Sequence, residues 1–289
     1  MTATTAIQPT VVTLPANRSA RLNFGGVVRS EWIKALSLRS IRWSMIVSIG
    51  LGIAMSVVIA FALQALATEV PFGSHVEFLT TVTSFPASFL ALVFGVLGVF
   101  VFSSEYASGM ILSTLTAAPR RGTVMAAKAL VLTILSAAVA ALVIAAGLTI
   151  SVILMPEAAG SILEPQTLTG LLGTTAFLVA IALFAFAVAG IVRSTAGGIT
   201  VVVGVLFLLP TILQITAQLT EWTWVAQVMN YLPSMLGSVV GAGVTDAAAG
   251  GMDLAVRMPG YGEAMASLAV WALIPMAVAA WLFSSRDAK

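Results

Sequence analysis

Residues 103–128 gather the side chains best suited to engage another molecule: Glu105, Tyr106, Gly109, Met110, Ile111, Leu115, Arg120, Arg121 and Lys128. The segment has an acid at one end, bases at the other and an apolar middle. Such a piece can insert its apolar side into a groove on a partner while its charges fix the register. It could equally rest on lipid as a basic loop. Ser103 or Ser104 could cap a short helix, with Glu105 in a first turn whose dipole favours an acid. Alternatively the preceding helix runs on until Gly109 breaks it. Pro119 stops the segment, and Thr123 could cap the helix that follows.

Covalent and metal chemistry find little here. Cysteine is absent, so disulfides and thiolate sites are excluded. His75, beside Glu77, is the only histidine, which leaves a zinc site or a nucleophilic triad without members. No lysine follows a glycine, so the phosphate-cradling G-x-x-x-x-G-K-[ST] loop is missing and ATP is not bound in that way.

The elements that position these residues belong in a membrane. Hydrophobic residues make up 60% and charged residues 8% of the chain, against about 25% charged in a soluble domain. The alternation of a transmembrane barrel is absent. The expected fold is therefore all-α and polytopic, with six spans near 43–67, 86–102, 129–155, 168–192, 199–219 and 265–283. A span needs about 20 residues; the second run is short and must borrow neighbours.

Residues 1–21 lack the basic start and apolar core of a signal peptide and read as a disordered cytosolic tail. Residues 22–42 read as an amphipathic helix, with Phe24, Val28, Trp32 and Leu36 on one face and Arg21, Arg29, Lys34, Arg39 and Arg42 as its charges. Such a helix lies in the headgroup layer, or serves simply as a solvated basic anchor. The transmembrane domain then occupies 43–284, and 285–289 form a second cytosolic tail.

With both termini in the cytosol, twelve of the thirteen basic residues fall on that side and only Arg257 falls outside. Eight of the eleven acids fall outside. This agrees with the positive-inside rule. No charged residue lies within the six runs, which argues against an ion-coupled carrier or a proton pump. Small residues recur at Ser44, Ser48, Gly52, Ser56 and Ala60, and again at Ser88, Ala91, Gly95 and Gly98, at spacings that let helices approach closely. Ser88 and Gly95, with the polar stripe Thr211, Gln214 and Gln218 of the fifth run, mark a possible pathway or dimer face. Residues 220–264, broken by Pro233, read as a short re-entrant or surface helix.

At 103–128 the chain resembles the permease subunits of type-2 ATP-binding-cassette exporters. The resemblance rests on Glu105-Tyr106 with Gly109, on 112–116, and on Arg120, Arg121 and Lys128. The opening Ser30-Glu31-Trp32-Ile33-Lys34 with Leu38-Arg39-Ser40 is similar to that family's helix before span one, and Tyr231-Leu232-Pro233-Ser234 to an element of its last external segment. The resemblance implies a bacterial plasma-membrane complex of two permeases, identical or paralogous, with two cytosolic ATPase subunits. ATP and magnesium would sit on the ATPase chains, with no cofactor or catalytic residue in this one and no nucleic acid as partner. The loop would act as a coupling helix for export of a hydrophobic or amphipathic cargo such as a drug, antibiotic, peptide or lipid. The alternative from another class is a structural membrane protein that docks a cytosolic partner without transport.

Overall fold

The computed structural model describes residues 23–67, 74–107, 109–110, 121–220, 222–245 and 257–285. Among them every regular element is helical. Helix α1 (Phe24–Ser37) ends at an extended Leu38 and precedes the spans. The spans are α2 (Arg39–Ala67), α3 (His75–Ala107), α4 (Arg121–Leu154), α5 (Pro165–Val192), the fifth in two pieces, α6 (Thr195–Val203) and α7 (Leu209–Thr220), and α10 (Tyr261–Ser285). Six helices are thus long and apolar enough to cross a membrane.

The second span starts at His75 rather than at Pro86. Its early polar residues hide their hydroxyls within the helix: Thr80 donates to the Val76 carbonyl and Thr83 to that of Leu79. Hydropathy sees these residues as polar, although their hydrogen bonds are met locally. Pro86 lacks an N–H, which leaves the Val82 carbonyl without its helical donor. Ser56 of α2 supplies one, with its hydroxyl 3.3 Å from that oxygen. The small-residue stripe of α2 is therefore more than a smooth surface: Ser44, Ser48, Gly52, Ser56 and Ala60 are all buried.

α3 and α5 form the centre of the bundle, and their mutual interface is the most extensive in the fold. It depends on Gly98, where a Cβ would run into the Ala182 carbonyl of α5. The fifth span is interrupted by a π-helical segment (Gly204–Leu208) just before Pro210, where the widened turn accommodates a residue without an N–H.

Between the fifth and sixth spans the described residues form two short helices, α8 (Thr223–Asn230) and α9 (Pro233–Gly241), where the sequence suggested one. α9 is largely buried against α5. Gly170 approaches Gly241, Gly173 approaches Val240, and the Phe177 ring lies against Gly237. Those contacts run about 10 Å along α5 at 1.5 Å per residue, so α9 enters the bundle antiparallel to α5. The Trp271 indole donates to the Tyr231 carbonyl at 2.9 Å and holds the tip between the two helices.

Candidate functional site

Four charged side chains meet where α1, the end of α3 and the start of α4 converge. Lys128 Nζ lies 2.7 Å from Glu31 Oε2 and 2.8 Å from Glu105 Oε1. Lys34 Nζ lies 2.8 Å from Glu31 Oε1 and 3.0 Å from Glu105 Oε1. Acids and bases alternate around this ring, and its formal charge sums to zero. Glu31, Glu105 and Lys128 are 5%, 3% and 5% exposed, so the bonds form largely out of water. Breaking a buried ion pair by removing one partner typically costs about 3–5 kcal/mol, because the other charge is stranded. Burial lowers the Lys34 pKa, but hydrogen bonds and charge from Glu31 and Glu105 outweigh it and hold the ammonium above its usual value.

Helix length explains how α3 and α4 can carry charge here. At 1.5 Å per residue α4, with 34 residues, is about 51 Å long, and a bilayer's hydrocarbon core is about 30 Å thick. Helices of such length have turns to spare at their ends, and Glu105 and Lys128 lie near such ends. Glu105 lies within α3, which runs to Ala107, and Gly109 then turns the chain with φ +69°. Of the two readings offered by the sequence, the continuous helix is the one found.

Tyr106 is one residue, about 100° of helix, from Glu105 and faces different neighbours. Its ring stacks on Phe102 at 5.5 Å, and the Arg193 guanidinium lies 5.6 Å above it. Phe102 meets the edges of Phe186 and Phe283 at 5.2 and 5.8 Å, and Arg121 donates to the Phe283 carbonyl. Glu105 therefore ties α3 to α1 and α4, Phe102 ties it to α5 and α10, and Tyr106 adds a contact to Arg193 at the end of α5. In the sequence Arg193 counts only as one of the twelve basic residues assigned to the cytosolic side. It caps α5 in the left-handed region with φ 56°, where Ser194 takes over as cap of α6. The Arg-Ser-Thr after an apolar run was the available signal.

Several sequence expectations need correction. Glu105 was expected to present its charge to a partner, but its carboxylate is engaged by two lysines of this chain. On α1, Phe24 and Leu36 are exposed, while Val28 and Trp32 pack only partly; the face turned to the bundle carries Glu31 and Ala35. A countercharge on α4 makes a carboxylate cheaper to bury there than the apolar pattern implied. Arg39 is exposed, as is Met110. Met110 lines a cavity of about 160 Å³ beside the ring together with Ser104, Ile41 and Val131. Ile111, Leu115 and Arg120 lie outside the described residues.

Within one chain, the residues marked as a possible pathway or dimer face lie apart. Gly95 packs on Val202 of α6, and Ser88 lies on the exposed side of α3. Thr211, Gln214 and Gln218 are exposed on α7, which packs mainly on the π segment and α8. Among the described residues, no group of three histidine or carboxylate side chains is placed to hold a metal ion. No protein-family model matches the chain, and no curated protein matches it.

Proposed function

We propose that this chain is the membrane-spanning subunit of a type-2 ATP-binding-cassette exporter, driven by a separate cytosolic ATPase subunit that binds ATP and magnesium. The observation that carries the reading is the buried ring of Glu31, Lys34, Glu105 and Lys128. It clamps together the two helices that flank residues 108–120 and fastens both to α1. A push on that segment would reach α3 and α4 as one body, and through Phe102 and Tyr106 it would reach α5 and α10. In this reading the ring lies at the cytosolic edge of the membrane, α1 lies at its surface, and a second permease copy or a paralogue completes the pathway. Cargo is hydrophobic or amphipathic and leaves the cell.

Reconstitution tests the reading. The pure chain should hydrolyse no ATP above background. Adding the ATPase subunit should give turnover that rises at least two-fold with cargo and is accompanied by transport. A stable complex with turnover but no transport of any amphiphile would instead fit a docking or assembly protein.

A further inference from the structure

At the end of the bundle opposite the ring, a cleft of about 440 Å³ opens between α3, α5 and α9. Its volume falls within the roughly 300–1,000 Å³ typical of ligand pockets. One wall is a face of α3, where Ser74, Glu77, Thr81, Ser84 and Ser88 recur at helical spacing. From Glu77 to Ser88 the wall runs about 16 Å at 1.5 Å per residue, which carries it from the helix end into the apolar span.

The hydroxyls of this helix divide into two sets. Thr80 and Thr83 are buried, and each donates to a carbonyl one turn back. Thr81, Ser84 and Ser88 face the cleft, and among the described residues their hydroxyls make no hydrogen bond. A bare hydroxyl within a span is costly unless something in the cleft meets it.

The lining also selects the sign of an occupant. Among the described residues Glu77 is its only charged side chain, and no lysine, arginine or histidine lines it. Gln166 spends an amide hydrogen on the Ala242 carbonyl, and Ser238 spends its hydroxyl hydrogen on Met235. Ser238 then offers an acceptor, and Gln166 offers its carbonyl oxygen and one remaining N–H. Phe85 and Phe177 supply apolar surface along the same cleft.

We propose that this cleft binds an amphiphilic organic cation: the ammonium group sits at Glu77, further donors meet Thr81, Ser84 and Ser88, and the apolar body lies along Phe85 and Phe177. An anion would find repulsion at Glu77 and no compensating charge. All of its described lining comes from one chain. It depends on the exporter reading only in that its ligand would then be cargo.

Binding is tested with the full chain in phosphatidylcholine nanodiscs, without a partner. The probes are dansylcadaverine, a primary ammonium, and 6-(dansylamino)hexanoate, which carries the same fluorophore on an anion; empty nanodiscs are subtracted. The cation should show saturable fluorescence enhancement, with the anion at least ten-fold weaker. Glu77→Gln should weaken cation binding about five-fold and remove the discrimination, and Ser88→Leu should block the cleft. Glu164→Gln, at the same end but outside the lining, should bind as wild type. Equal affinity for both probes, equal loss from Glu77→Gln and Glu164→Gln, or no saturable binding would each overturn the proposal. Failure here leaves partner-driven ATP turnover untouched. Saturable binding without such turnover would sink the exporter reading and leave the site standing.

Discussion

At the Glu31 end, four charges lie within 3.0 Å of their neighbours, and three of the four side chains are buried. At the Glu77 end, a carboxylate and three hydroxyls line an open cleft and make no ion pair or side-chain hydrogen bond among the described residues. In the first region every charge is paired with two of opposite sign. Low polarity around them makes each bond stronger and each missing member costlier. Polar groups in the second region remain available. A closed polar network fixes the relative placement of the helices it joins, whereas an open one has capacity to spare for a ligand. One sequence thus contains a rigid joint and a receptive surface about a membrane thickness apart.

The largest test of this contrast is a pair of charge deletions. Lys128→Met should destabilise the protein by about 3–5 kcal/mol, because Glu31 and Glu105 are left buried with Lys34 alone. Glu77→Gln should change stability by less than about 0.5 kcal/mol, as is usual for exposed sites. Unfolding midpoints in detergent measure both, and equal losses would break the distinction between joint and cleft.

A smaller effect sharpens the same contrast within the hydroxyls. Ser56→Ala should cost about 1–3 kcal/mol, the usual penalty for leaving a buried acceptor unmet, since the Val82 carbonyl has already lost its helical donor to Pro86. Ser88→Ala, on the exposed cleft wall, should cost almost nothing. The same unfolding assay ranks the two.

The six spans were legible because a bilayer demands long apolar runs, and 43–67 or 168–192 are hard to read otherwise. The start of α3 was not legible, because Thr80 and Thr83 hide their polarity by bonding backward along the helix. Apolar period alone misplaced the buried face of α1. Whether Glu31 points inward depends on Lys128, 97 residues away, and that countercharge arrives only when α1 packs on α4. Glu105 and Lys128 were noticed for their chemistry, yet as docking residues, since spacing says nothing about which charges find one another. Of the cleft only Ser88 stood out in the sequence; the other serines and threonines of its wall acquire meaning only once α5 and α9 stand beside them.

The central claim is that the ring transmits work from a partner ATPase to the bundle, and its most direct measure is cargo moved per ATP hydrolysed. The reconstituted complex would carry Glu105→Gln, which keeps the side chain's shape while removing its charge, or Lys34→Met, at the least buried ring member, one of the two that lie on α1 outside the spans. Circular dichroism and co-purification would confirm folding and assembly. The account predicts that both variants retain basal ATP turnover within about two-fold while transport per ATP falls about ten-fold, equivalent to roughly 1.4 kcal/mol of lost coupling. Folded, assembled complexes of both variants that transport cargo at the wild-type ratio would contradict it.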